Sequence, residues 1–174
     1  MSKSQIPNPK SQLSVPSVSS VSSVDEFLAK HSTLTLATTT ADGLPQAAPL
    51  FFATGDDGSI LFVSGAKSRH SLNIAANGKA AVVVYGETWS WNEIAGVQME
   101  GTVSAIPAGP EREAAWESYK AKFPFVVEFE DEVSRSNFYR FTPRWVRLID
   151  NSVRFGYREE FKFDGEKGTQ INAD

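Results

Sequence analysis

Residues 94–106 alternate apolar and polar side chains more regularly than any other stretch of the chain. Four apolar side chains share one face of an extended backbone: Val97, Met99, Val103 and Ala105. The polar side chains share the opposite face: Gln98, Glu100, Thr102 and Ser104. Because a two-residue period is the repeat of a β-strand, this stretch predicts a strand with one face in a core. Gly101, in its middle, predicts a bulge or a close approach of another backbone.

Several other short stretches are rich in β-branched or aromatic residues and are separated by turn residues. The predicted strands cover residues 33–39, 46–53, 60–63, 80–85, 138–141 and 145–149. Asp42-Gly43 is a typical hairpin turn between the first two of them. Short strands joined by hairpins favour an antiparallel arrangement over a parallel sheet. We therefore expect a mainly β fold, a small β-barrel of about six or seven strands with flanking helices.

Three helices are predicted between the strands: residues 23–31, a helix that follows Lys67 and ends at Asn77, and residues 110–122. Ser23 and Glu26 form a capping-box pattern at the start of the first. In the second, Leu72, Ala75 and Ala76 recur at helical spacing and predict its apolar face. The third should pack on the sheet through its aromatic side chains: Trp116, Tyr119 and Phe123.

The chain has 174 residues, enough for one domain with a hydrophobic core. The folded domain is predicted over residues 23–160. Residues 1–22 repeat Ser and Val with few large apolar groups, and they predict a disordered tail. The alternative is a docking arm that covers a partner subunit. Residues 161–174 predict a loose C-terminal tail.

The composition argues against several classes of function. The chain has no cysteine, which excludes disulfides, thiol chemistry and Cys-ligated zinc, and its two histidines argue against a His-rich metal site. A net charge of −4 argues against nucleic-acid binding. No apolar run approaches the ~18 residues that cross a bilayer, and no secretory signal is present. We therefore expect a soluble, cytoplasmic protein that does not enter a membrane.

Residues 62–73 join a strand end to a helix start and concentrate cations and hydroxyl groups. Lys67, Arg69 and His70 lie within four positions and are interleaved with serines; we call residues 65–70 the cationic turn. The first turn of a helix carries free N–H groups and the positive end of the dipole, so it suits an anion. The arginine can pair its guanidinium with phosphate oxygens. The alternative is a solvated strand-to-helix connection that binds nothing.

The motifs of common hydrolases and nucleotide-binding proteins are absent. The sequence contains neither G-x-S-x-G nor G-x-G-x-x-G, and residues 65–68 lack the glycine spacing of a P-loop. Pro49 cannot donate a hydrogen bond within a sheet, so it predicts a strand edge or a bulge. Backbone groups beside it would be free to contact a ligand, or the bulge has no ligand at all.

Several motifs recur in a characteristic order along residues 24–149. They are the leading helix, the Asp42-Gly43 hairpin, the string F-V-S-G-A-K-S-R-H-S-L-N-I that begins at Phe62, the strand Q-M-E-G-T-V at residues 98–103 and the segment at residues 139–145. The last two are similar to a Q-x-x-G-type strand and an F-R-F-x-P-like segment. In this order they resemble the pyridoxamine 5'-phosphate oxidase-like, FMN-binding split-barrel family.

The resemblance implies an antiparallel split β-barrel that forms a homodimer with FMN at the interface. The turn after the third strand would hold the FMN phosphate, the end of that strand would line the cofactor, and the second strand's backbone would follow the flavin ring. A glutamine would reach the ring from the other subunit. The implied cofactor-binding residues are Ala48, Pro49, Leu50, Val63, Ser64, Lys67, Ser68, Arg69, His70 and Gln98. No residue is assigned a catalytic role.

By this resemblance the chain is an FMN-dependent oxidoreductase that acts on an unidentified small molecule. True pyridoxamine phosphate oxidases carry an R-x-H-x-R-like segment, whereas residues 153–158 have no matching histidine, which puts vitamin B6 oxidation in doubt. His70 stands where the family often has lysine, which would weaken phosphate binding at neutral pH. The alternative is a non-catalytic protein that binds or senses flavin, haem or a deazaflavin, with His31 and His70 as the available haem ligands.

Overall fold

The computed structural model describes the backbone of residues 18–164 and 167–170, and the side chains of residues 23–163. The helices are α1 (Val18–Ala29), α2 (Arg69–Asn77), α3 (Pro110–Lys122) and α4 (Glu130–Ser134). Short 3-10 helices cover Trp91–Glu93 and Pro124–Phe129. The strands are β1 (Thr33–Thr39), β2 (Pro45–Phe51), β3 (Ala53–Thr54), β4 (Ile60–Ser64), β5 (Lys79–Tyr85), β6 (Ala95–Ala105), β7 (Asn137–Asp150), β8 (Arg158–Asp164) and β9 (Lys167–Gln170).

All the paired strands run antiparallel, in the order β2-β1-β5-β6-β7-β4-β3, and β8 and β9 extend the sheet beside β7. The sheet curls until β2 contacts β4, which makes a half-barrel with helices at its flanks. The predicted fold class, an antiparallel split β-barrel, is therefore confirmed. No helix in the described part of the chain is both long enough and apolar enough to cross a membrane.

The core lies inside the curl. Leu36, Phe52 and Phe62 are fully buried there beside Val97 and Phe141. A second apolar cluster lies between β4, β7 and α3. The aromatic side chains predicted to join α3 to the sheet belong to this second cluster: Trp116, Tyr119 and Phe123. Lys122, at the end of α3, adds two contacts to the core side of the domain. Its Nζ atom lies 3.8 Å from the centroid of the Phe52 ring and donates to the carbonyl of Leu28 at 3.2 Å.

β7 is one long strand where the sequence predicts two. Its first half pairs with β4 up to Phe141, and its second half pairs with β8 from Trp145 onward. Pro143 lies at the change of partner, where a missing N–H costs no ladder hydrogen bond on that side. Opposite it, the register of β6 shifts between Glu100 and Gly101, as the glycine predicts.

The ends of the domain differ from the prediction. α1 begins at Val18, so the Ser23 capping-box pattern lies inside the helix instead of at its start. The predicted disordered tail therefore overlaps the helix over residues 18–22, and its first 17 residues lie outside the described part. In the predicted loose tail, β8 continues to Asp164 and β9 returns along it, because β7 offers a free edge with which β8 pairs. Both strands form through long-range pairing that a local pattern does not reveal.

β5 has one buried face and one half-buried face. Val82 and Val84 are buried in the core, but Ala81 and Val83 are only half-buried. Ala81 and Val83 lie on the side of the sheet that faces away from the core, together with Thr35 of β1. No helix of the described residues packs over this side. We call it the outer face.

Candidate functional site

The cationic turn is organised by Ser68, the N-cap residue of α2. Its backbone is extended, with φ −65° and ψ 151°, and its Oγ atom accepts a hydrogen bond from the backbone N–H of Ser71 at 3.3 Å. Its own N–H donates to the carbonyl of Gly65 at 3.0 Å. Serine favours this position because its hydroxyl satisfies one of the free N–H groups of the first turn. The start of the helix is therefore fixed by local hydrogen bonds.

Two cationic side chains flank this N-cap. Lys67 and Arg69 are both exposed, and neither side chain makes a hydrogen bond or an ion pair with any residue of the described part. Positive charge here adds to the positive end of the helix dipole instead of being neutralised by a carboxylate. The arrangement leaves two charged donors available to an anion.

Beneath the turn, three serines and one histidine form a continuous chain of polar contacts. His70 Nε2 and Ser64 Oγ are 2.6 Å apart, and Ser64 Oγ lies 3.2 Å from Ser68 Oγ. Ser68 Oγ in turn donates to Ser71 Oγ at 2.8 Å. The chain connects the end of β4 to the first turn of α2, so it holds the two sides of the cationic turn together.

His70 faces into the protein and away from solvent. It is only 8% exposed, and burial lowers the pKa of its imidazole from the ordinary value. Desolvation disfavours the charged form of an imidazole, so at neutral pH this side chain offers neutral hydrogen-bonding groups. The positive charge of the turn thus comes from Lys67 and Arg69.

β2 lies beside the turn at the edge of the sheet. Among the described strands it pairs with β1 alone, and Pro49 lies opposite Thr35 with its ring exposed, so the predicted edge position is confirmed. Ala48 and Leu50 point the other way and are half-buried. β2 contacts both β4 and α2, so the strand that carries these three residues lies against the elements that carry the turn.

Val63 and Ser64 point to opposite faces of β4, as neighbours in a strand must. Val63 packs against the second apolar cluster, on the side of α3. Ser64 shares its face with Phe62 and makes the contacts described above. Of this pair, only the serine has its side chain in the polar chain beneath the turn.

Gln98 stands apart from the other candidate residues. It lies on the outer face, where its Oε1 atom accepts from Arg147 Nη1 at 3.4 Å. Arg147 also pairs with Glu160, at 2.6 Å between Nη2 and Oε1. Gln98 lines two shallow cavities of about 360 and 390 Å³, and neither includes a residue of the cationic turn. The described part of the chain therefore does not join Gln98 to the turn.

One set of polar residues near the site was missed by the sequence prediction. Asn73 is buried in α2 and donates to Thr38 Oγ1 at 3.0 Å and to Gln46 Oε1 at 3.1 Å. Asn77 donates to the carbonyl of Thr39 at 3.1 Å. A signal was present, because residues 70, 73 and 77 are all polar and lie on one helical face. The predicted apolar face was wrong: Leu72, Ala75 and Ala76 are exposed.

Residues 21–150 match the family model described as pyridoxamine 5'-phosphate oxidase. A relative in Photorhabdus laumondii, the UPF0306 protein plu4501, is 23% identical over 133 residues, which cover 76% of this chain and 89% of that protein.

Two solved structures share the fold at low sequence identity. A pyridoxamine 5'-phosphate oxidase-related, FMN binding protein from Nostoc punctiforme gives a TM-score of 0.63 at 15% identity, covering 89% of this chain and 96% of that one. A heme binding protein from Mycobacterium smegmatis gives a TM-score of 0.66 at 19% identity, covering 78% of this chain. The match spans 55% of the Mycobacterium chain, about half its length.

Proposed function

The chain belongs to the pyridoxamine 5'-phosphate oxidase family, and on that premise we propose that it is an FMN-binding flavoprotein. The observation that carries the proposal is the pair of unpartnered cations, Lys67 and Arg69, at the start of α2. A phosphate monoester carries up to two negative charges and several acceptor oxygens, which this turn can satisfy with charged and backbone donors. The similarity to the FMN binding protein of Nostoc punctiforme supports the same ligand.

The residues near the turn fit the rest of the cofactor. Ser64 and Val63 end the strand next to the phosphate position, and the edge of β2 at Ala48, Pro49 and Leu50 offers unpaired backbone groups to a flat ring. Bound FMN would supply hydride transfer, and the protein would orient the ring and exclude water from it. The polar chain of Ser64, Ser68 and His70 would hold the phosphate end in place.

A homodimer would complete the site. The outer face is open and carries small side chains such as Ala81, together with Gln98, which lies apart from the turn of its own protomer. Packing of two such faces would bring Gln98 of the partner subunit toward the flavin ring. Uncovered sheet faces with small side chains permit close packing of a second sheet. The dimer interface is therefore proposed at the outer face.

We propose that the reaction is oxidation or reduction of a small molecule other than a vitamin B6 phosphate. The segment at residues 153–158 lacks the histidine of the substrate grip, and its Phe155 lies edge-on to Trp91 with ring centroids 5.7 Å apart. Arg154 lies over the Tyr157 ring at 5.5 Å. The first contact joins the segment to the 3-10 helix at Trp91–Glu93, and the second lies within the segment itself.

The alternative is a non-catalytic protein that binds flavin, haem or a deazaflavin, and the similarity to the heme binding protein of Mycobacterium smegmatis favours considering haem. Both candidate haem ligands are engaged at one ring nitrogen, His70 Nε2 with Ser64 Oγ and His31 Nδ1 with the carbonyl of Phe27 at 2.7 Å. A histidine that ligates a metal usually has its other ring nitrogen hydrogen-bonded, so these contacts leave haem as the alternative.

The visible absorbance spectrum of the purified protein separates these ligands. We expect the two-band spectrum of an oxidised flavin that NAD(P)H bleaches. A Soret band would contradict the flavin assignment, and a flavin that no nicotinamide or other small reductant bleaches would support the non-catalytic alternative.

A further inference from the structure

The polar chain beneath the cationic turn has a direction that can be worked out from its protons. A serine hydroxyl carries one proton and two acceptor lone pairs. Ser68 gives its proton to Ser71 Oγ, so the contact between Ser64 and Ser68 needs the proton of Ser64. Ser64 then has no proton left for the imidazole. His70 must donate its Nε2–H to Ser64 Oγ across the 2.6 Å contact.

The same counting gives the state of the imidazole. Nε2 carries a proton, and burial of the ring, with its lowered pKa, argues against a second proton on Nδ1. The neutral Nε2–H tautomer satisfies both conditions. No carboxylate of the described part is bonded to His70, so nothing there stabilises an imidazolium.

From this geometry, and resting on the proposed function, we propose that His70 is a positioning residue for the FMN phosphate that acts without charge. By donating to Ser64, it turns the hydroxyl proton of Ser64 away from the ring and toward Ser68 and the cationic turn. When FMN is bound, that proton would leave Ser68 Oγ and turn to a phosphate oxygen, while Lys67 and Arg69 supply the charge. The chain thus makes the site specific for a phosphorylated flavin by means of an oriented hydroxyl instead of a third cation.

Two substitutions of His70 separate this role from that of a cationic ligand. In His70→Gln, the side-chain amide N–H can replace the imidazole Nε2–H, whereas His70→Ala removes the donor. We expect His70→Gln to bind FMN within about threefold of the wild type, and His70→Ala to bind it about tenfold more weakly, the usual effect of one lost buried hydrogen bond. Riboflavin, which has no phosphate, should bind all three proteins alike. His31→Gln, which changes the other histidine, is the matched control.

The tautomer itself is measured by 15N NMR on the wild type, which requires no variant to fold. The chain has two histidines, so His31→Gln assigns the signals. We expect neutral His70 with the proton on Nε2 at pH 7, with and without FMN. An imidazolium in the FMN complex would overturn the inference. So would a His70→Gln variant that binds FMN as weakly as His70→Ala does. A wild type that binds no FMN would contradict the proposed function itself, whereas FMN binding left unchanged by His70→Ala would contradict only the role of His70.

Discussion

The carbonyl oxygen of Thr142 lies 2.1 Å from the point that a Cβ atom on Gly101 would occupy. The same point is 3.0 Å from the Cα atom of Pro143. β6 and β7 approach this closely where their register shifts. At the same point along β7, its other neighbour changes from β4 to β8. The contact between these two long strands therefore depends on a residue without a side chain at position 101.

Gly101→Ala should destabilise the protein by about 3 kcal/mol or more, because a new methyl group would overlap backbone atoms that cannot move independently. Urea unfolding followed by circular dichroism measures the change. Gly65→Ala is the control, since a Cβ there meets no atom within 4 Å. Equal stability of the two variants would show that the strands separate at this point without cost.

Arg69→Ala should weaken FMN binding by roughly 10- to 100-fold, the effect of losing a charged hydrogen bond of about 1.5–3 kcal/mol. Riboflavin binding should not change, because the lost contact is with the phosphate. Flavin fluorescence quenching gives both affinities. Arg135→Ala removes another exposed arginine, which directly follows α4, and should leave both values as they are. If FMN and riboflavin weaken together, the arginine does not contact the phosphate.

Lys122 should give the stability of the protein a dependence on pH. Burial lowers the pKa of its ammonium to about 8 in the folded state, from its ordinary value of 10.5. Between these values the unfolded chain binds the additional proton, so the contribution of this group to stability rises with pH. Below pH 8 both states are protonated and the contribution is constant.

The free energy of unfolding measured from pH 7 to 9.5 tests this dependence. Lys122→Met keeps the aliphatic chain over Phe52 and should lose the rise above pH 8. Lys120→Met, on the same helix, removes an ammonium that pairs with Glu117 at 2.7 Å and is the matched control. The prediction would be contradicted if the free energy of unfolding changed with pH in the same way in the wild type and in Lys122→Met.

Ala81→Glu should convert the proposed dimer into monomers, because it places a charge on the outer face without disturbing the buried side of β5. The same variant should bind FMN more weakly, since Gln98 of the partner subunit would be lost. Sedimentation velocity measures the mass, and Ala114→Glu on the exposed side of α3 is the control. A dimer that survives the substitution would place the interface elsewhere.

Much of the sheet could be predicted because its strands are marked locally. β1 covers the predicted residues 33–39, and Gly43 in the following turn has the positive φ of 88° that its hairpin position favours. Gly101 and Pro49 likewise predicted a bulge and an edge from backbone chemistry alone. These features depend on residues next to one another in the chain.

The orientation of α2 could not be predicted from hydrophobicity. Its buried Asn73 is satisfied by Thr38 and Gln46, which lie 35 and 27 residues away in the sequence. Burial of a polar side chain is favourable only where such partners exist, and the pairing of β1 with β2 supplies them. The same limit applies to His70, whose inward direction follows from its contact with Ser64.

The central claim is that the cationic turn binds the phosphate of FMN, and titration of the cofactor-free protein with FMN and with riboflavin tests it most directly. Quenching of flavin fluorescence gives both dissociation constants under one condition. We expect FMN to bind at least tenfold more tightly than riboflavin, as contacts with a phosphate require. Equal affinity for the two flavins, or no quenching by the protein at all, would contradict the account.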